Sequence, residues 1–285
     1  MMKRQRHTQS STGVVRAIGR LVLGWREPLP DFLCIGAQKA GTTTLYQHMR
    51  SHPGMFMPAT KEVHYFSQHF DRPLSWYESH FARARRWQRT GEATPYYLFH
   101  PEAPGRIASV RPQARMIVLL RDPVERALSG YFHARRLGEE TLDIEAAFDA
   151  EPQRLKDAAA TLAVPGSAHR SHHMHSYLSR SRYEEQLSRY LAHFPRSQLL
   201  LIRSEDLFAD PAVAWSHVQA FLGVATVPLR DPTLRCNEGA GEASAVSAAF
   251  RAELRSRLRA TYDAMRRDYG MSWPESSDES TGNAA

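Results

Sequence analysis

Phe32-Leu-Cys-Ile-Gly36 runs straight into Ala37-Gln-Lys-Ala-Gly-Thr-Thr-Thr44, and this stretch decides the fold. The apolar run, with Pro30 just upstream, predicts a buried strand over 31–36. A helix beginning near Thr42 follows, with Leu45 and Met49 on its apolar side, and Pro53-Gly54 stops it. Gly36 and Gly41 let the backbone turn tightly and approach an anion. Free N–H groups at the helix start, together with the helix dipole, favour a phosphate or sulfate there. Thr42, Thr43 and Thr44 add hydroxyl donors, and Lys39 adds a compact positive charge on a flexible stem. The pattern is P-loop-like, but it departs from the nucleotide P-loop, in which Lys directly follows the second glycine and Ser or Thr comes next. Here Thr42 follows Gly41, and Lys39 lies upstream of it, so the lysine and the magnesium-binding hydroxyl fall out of register for ATP or GTP.

Moving outward, the chain alternates. Short strands are predicted at Gly91-Glu-Ala-Thr94, at Arg115-Met-Ile-Val-Leu-Leu120 and at Gln198-Leu-Leu-Leu-Ile202. Asp122-Pro123 opens a helix, with Asp as N-cap and Pro at the first helical position. Further helices are expected over about Tyr183 to His193, from Asp210-Pro211 to Gly223, and from about Ser244 to Tyr269. This alternation predicts an α/β fold: a single domain with a central parallel sheet flanked by helices. Ligands of such sheets bind beyond the carboxyl ends of the strands. The domain is expected over 31–273, after a basic leader at 1–30 and before a disordered acidic tail at 274–285.

The length of 285 residues suits one such domain. A net charge of +7 points to anionic partners, although solubility alone would also account for it. Cys34 and Cys236 lie far apart and form no metal-ligand spacing or disulfide framework, which favours a reducing, cytoplasmic setting. In the leader, Arg16 and Arg20 interrupt the apolar run Val14 to Leu23, so it is too short to span a bilayer and makes a poor signal peptide. The arginine spacing allows an amphipathic helix in peripheral contact with a membrane, with a disordered leader as the alternative.

Two further stretches carry chemistry. In Val118-Leu-Leu-Arg-Asp-Pro-Val-Glu-Arg-Ala-Leu-Ser-Gly-Tyr131, Arg121 ends a buried strand and Ser129 lies about two turns into the next helix. An arginine fork and a hydroxyl can grip one phosphate. Pro58-Ala-Thr-Lys-Glu-Val-His-Tyr-Phe66 resembles a Lys-Glu-x-His-aromatic stretch that supplies a catalytic carboxylate in a known family, and the resemblance makes Glu62 the candidate general base, provided partial burial raises its pKa.

Together with Ser181-Arg-Tyr-Glu-Glu-Gln-Leu187 and Leu200-Leu-Ile-Arg-Ser-Glu-Asp-Leu207, these motifs resemble the sulfotransferases that use 3′-phosphoadenosine 5′-phosphosulfate (PAPS), above all their heparan-sulfate-type branch and its bacterial relatives. The resemblance covers roughly residues 31 to 223 and fades near Arg235-Cys-Asn-Glu-Gly239. It implies that the loop Lys39, Ala40, Gly41, Thr42, Thr43 and Thr44 holds the 5′-phosphosulfate. Arg121 and Ser129 would hold the 3′-phosphate, and Tyr183 would approach the nucleotide. Glu62 would be the catalytic carboxylate, with His64 orienting it, contacting the acceptor or sharing its role, and Lys39 would meet the departing charge. The implied acceptor is a carbohydrate or glycoconjugate, with PAP as the second product, no metal and no nucleic acid.

The His-rich stretch His169, His172, His173 and His175 reads as a flexible, basic, substrate-facing loop, with a metal site as the alternative. Tyr96 and Tyr97 are expected either at the acceptor cleft or in the core. Two other functions compete. A P-loop kinase or NTPase needs Lys directly after the glycine, and a non-enzymatic polyanion binder needs basic residues interleaved with stacking aromatics. Neither pattern is present.

Overall fold

The computed structural model describes residues 29–236 and 241–274. Its strands are β1 (Phe32–Gly36), β2 (Met55–Phe56), β3 (Arg89–Ala93), β4 (Arg115–Leu120) and β5 (Leu199–Arg203). They form one sheet in the order β2-β3-β1-β4-β5, and every pairing is parallel. β1 and the last five residues of β4 are buried, as expected of strands covered on both faces. β2 is a two-residue edge strand, too short to leave a period in the sequence.

The helices used below are α1 (Thr42–Ser51), α2 (Pro123–Arg136), α3 (Tyr183–Leu191), α4 (Pro211–Leu222), α5 (Ala248–Arg257) and α6 (Arg259–Tyr269). Local signals account for their ends. The Asp122 carboxylate accepts from the Val124 and Glu125 N–H groups, Asp210 accepts from Val213 N–H, and Gly223 closes α4 in the left-handed region at φ 64°. The single helix expected over about 244–269 is two helices, broken at Leu258, whose side chain is 1% exposed and packs into a second core. That core also holds Leu128, Phe148, Tyr177 and Phe250. It packs against α2 through Val124, Ala127, Leu128 and Tyr131, and Phe148→Ala, which truncates a fully buried ring, would cost about 3–5 kcal/mol.

Leu29 and Pro30, assigned to the leader, are buried: the Leu29 carbonyl accepts from the Thr90 hydroxyl and the Pro30 carbonyl from Arg111. The rest of the leader, 1–28, and the tail from 275 onward lie outside the described residues. The His-rich stretch is not a loose loop. Arg170–Met174 is a short helix, His172 is 7% exposed, and its ring stacks on Phe99 at 4.1 Å. Tyr96 and Tyr97 are core residues, 3% and 0% exposed.

β1 and β4 are neighbours, yet the chain leaves β1 toward β2 and leaves β4 toward β5. A crevice therefore opens beyond their carboxyl ends, which is where such sheets bind ligands.

Candidate active site

The crevice is a cleft of about 870 Å³. Its floor is the loop after β1, lined by Gln38, Lys39, Gly41, Thr42 and Thr43. One wall comes from the end of β4 and from α2, the other from the Lys61-Glu62 loop.

Gly41 is the N-cap of α1, at φ 92°. A Cβ there would meet the Phe208 ring at 2.9 Å, so both backbone conformation and space call for glycine. The turn places the first residues of α1, Thr42 and Thr43, on the cleft. Ala40 is 1% exposed and supplies no side chain to the cleft. Thr44 is also buried, and its hydroxyl accepts from the Cys236 N–H at 3.0 Å, which ties the 231–236 segment over the loop. Lys39 stands in the left-handed region at φ 73°, a costly conformation for a non-glycine residue and one that concentrates at functional sites. Burial, and then the positive charges of Arg136, Arg121, Arg126 and Lys61, pull its pKa down to about 8.

Arg121 and Ser129 both reach the cleft. Arg121 lies 3.9 Å from Glu125, whose carboxylate is already held by Arg251. Tyr183 does not line the cleft. It is fully buried, and its hydroxyl donates to the Arg121 carbonyl at 2.9 Å, so it places Arg121 from behind. Arg126 is fully buried, donating to the Ser181 hydroxyl at 2.6 Å and to the Tyr177 carbonyl.

Glu62 is pinned by its own backbone: its N–H donates to the Ala93 carbonyl at the end of β3, at 3.0 Å. Glu62 and His64 both adopt left-handed backbone conformations, at φ 63° and 57°. The carboxylate accepts from Lys61 Nζ at 2.6 Å, and His64 Nε2 lies 3.6 Å away. Burial pushes the Glu62 carboxyl up. The His64 contact, together with the charge and hydrogen bond of Lys61, outweighs it and holds the pKa at about 2. The expectation of a raised pKa is thus reversed, because the His64 contact and the Lys61 ammonium both act on the same carboxylate. His64 does not line the cleft itself; its Nδ1 meets the Ser67 hydroxyl at 3.0 Å and its ring packs near His173 at 5.6 Å.

The sequence does not assign His133 to the cleft and leaves the Arg235-Cys236 segment open; the structure brings all three residues to it. His133 was legible in principle, since with Glu125 and Ser129 it repeats at i+4 on one face of α2. Arg235 was not: its guanidinium reaches the Phe208 ring, at 4.7 Å, only through the tertiary fold.

The arrangement suits a small polyanion. Lys39, Arg121 and the α1 N-terminus converge on one cleft, and the buried Arg126 and Arg180 behind it have no carboxylate at ion-pair distance among the described residues. Cations gathered within and behind one cleft favour an anionic ligand. Among those residues, no group of His, Cys, Asp and Glu is arranged to hold a metal ion.

A parallel α/β sheet thus carries a glycine-containing loop with Lys39 after its central strand, Arg121 after the adjacent strand and the Glu62 carboxylate on the same cleft. A sulfotransferase domain profile matches residues 29–235, and the chain belongs to that family. It is 32% identical, over 197 residues, to heparan sulfate glucosamine 3-O-sulfotransferase 3B1 of Homo sapiens, covering 69% of this chain and 46% of that protein. It is 33% identical, over 210 residues, to the human bifunctional heparan sulfate N-deacetylase/N-sulfotransferase 3, covering 69% of this chain and 22% of that protein. The match thus spans less than half the length of either relative. Among solved structures, a sulfotransferase from Alicyclobacillus acidocaldarius superposes with a TM-score of 0.65 at 29% identity, covering 85% of this chain and 97% of the other.

Proposed function

We propose that this protein transfers the sulfuryl group of PAPS to a hydroxyl or amine of a carbohydrate or glycoconjugate acceptor. The observation that carries the reading is the convergence of Lys39, after β1, and Arg121, after β4, on one cleft with Glu62 across from them. The 3-O- and N-sulfotransferase names of the relatives support the acceptor class. In this reading the loop N–H groups, Thr42, Thr43 and Lys39 hold the 5′-phosphosulfate, while Arg121 and Ser129 hold the 3′-phosphate.

The acceptor oxygen or nitrogen attacks sulfur in line with the leaving phosphate oxygen. A bond forms to sulfur as the bond from sulfur to the 5′-phosphate breaks. The acceptor proton passes to Glu62, and the charge left on PAP is met by Lys39 and the loop N–H groups. Lys61 and His64 keep Glu62 ionised and oriented. Both cysteines are free, which fits a reducing, cytoplasmic compartment. No described helix is long and apolar enough to cross a membrane.

Thermal unfolding with PAP, or with ATP plus magnesium, tests the donor. PAP at about 100 times its Kd stabilises the native state by about 2.7 kcal/mol, and Lys39→Ala or Arg121→Ala should abolish most of that shift. A wild type that ignores saturating PAP, or prefers ATP with magnesium, overturns the reading.

A further inference from the structure

Arg180 lies in the short turn Ser179–Ser181, just ahead of α3. It is 2% exposed. A guanidinium so deeply buried is ordinarily neutralised by a carboxylate. Here no described carboxylate pairs with it, and its one side-chain hydrogen-bond partner among the described residues is Gln38 of the phosphate loop, which accepts from Nη1. The other arm, Nη2, donates to the main-chain carbonyls of His172 and His173, at 2.8 and 2.9 Å. The guanidinium also lies over the rings of Tyr96 and Phe99, at 5.3 and 5.0 Å.

What the second arm holds matters. His172 Nδ1 meets the Tyr96 hydroxyl at 2.7 Å. The His173 ring packs on Tyr96 at 4.5 Å and on His64 at 5.6 Å, and His64 in turn adjoins Glu62. One rigid fork therefore reaches the donor loop with one nitrogen and, with the other, the turn that backs the Glu62 side of the cleft. The turn that carries it is fixed independently: the Gln186 side-chain amide donates to the Arg180 carbonyl at 2.9 Å, and the Ser181 hydroxyl donates to the Pro123 carbonyl at 2.8 Å.

We propose that Arg180 is a positioning residue that locks Gln38 of the phosphate loop to the His172–His173 turn, so that the donor loop and the Glu62–His64 wall keep one fixed spacing. In-line transfer needs that spacing held to a fraction of an ångström. The proposal rests on the sulfotransferase reading for its meaning, but the lock itself is a property of the free protein.

The test uses the full chain and the variants Gln38→Ala, Arg180→Met, Arg180→Lys and the double variant Q38A/R180M. PAP affinity is read by calorimetry, and the His64 and His173 imidazole signals are read by NMR without ligand. Q38A and R180M should each weaken PAP by about tenfold, the scale of one charge-assisted hydrogen bond, and the double variant no further, because both remove the same contact. R180K keeps the charge without the fork and should behave like R180M. In the free protein, Q38A should shift the His173 signal although the two side chains share no contact. Effects of Q38A and R180M that multiply, wild-type affinity in R180K, or a His173 signal indifferent to Q38A would each overturn the lock. Should R180M fail to fold, R180K and Q38A still decide the question. Should the wild type fail to bind PAP, the donor reading falls, and the ligand-free NMR comparison still tests the lock.

Discussion

The Tyr183 hydroxyl donates a 2.9 Å hydrogen bond to the main-chain carbonyl of Arg121. The side chain that α3 sends toward the cleft thus acts one residue removed, on the backbone of Arg121, which lines it. Tyr183→Phe keeps the ring and leaves that carbonyl without its donor. It should lower stability by about 1–3 kcal/mol, the cost of an orphaned buried polar group, and weaken PAP only several-fold. Chemical denaturation and PAP titration check this, and an effect on PAP as large as that of Arg121→Ala would show direct contact instead.

Glu62 should carry the proton transfer. Glu62→Gln is expected to lower kcat by about 10²–10⁴-fold and to leave PAP affinity within a few-fold of wild type. Its pKa of about 2 keeps the Glu62 carboxylate ionised in the free protein through the whole neutral and mildly acidic range. With a neutral hydroxyl acceptor, an acid limb in kcat/KM between pH 5 and 7 should therefore be the same in wild type and in the residual activity of E62Q. Its folded pKa also lies below the 4.5 of the unfolded chain, so its contribution to stability is present above about 4.5 and is lost as pH falls toward 2.

Lys39 should make PAP binding pH-dependent on the alkaline side. In the free protein its pKa sits near 8, so it is charged at pH 7 and largely neutral at pH 9. A bound polyanion favours the ammonium and raises that pKa. PAP binding should then take up a proton above pH 8, and affinity should fall by up to about tenfold per pH unit as pH rises past 8. Calorimetry in buffers of different ionisation heat measures the uptake. Lys39→Arg, which stays charged, should flatten the slope; an unchanged slope would assign the proton to another group.

The features that a reader of the chain could see are those built from near neighbours. Strand, loop and helix follow one another in Phe32 to Ser51, so Lys39, Gly41, Thr42 and Thr43 come to the cleft through local geometry alone. Arg121 and Ser129 do so for the same reason, since a buried strand followed by an Asp-Pro helix start places them at the sheet's carboxyl edge. Other features depend on contacts between distant segments, and no period or spacing encodes them. Tyr183 is buried against the Arg121 carbonyl and does not line the cleft. His172 and His173 fold onto Tyr96 rather than waving in a loop. Arg235 comes to lie over Phe208. Glu62 and Lys61 are adjacent in sequence, but the sign of the Glu62 shift depended on how deeply the loop was buried and on where His64 pointed. Secondary structure follows short-range propensity and apolar period, whereas burial, charge pairing and the direction of a pKa shift are sums over whatever the fold packs nearby.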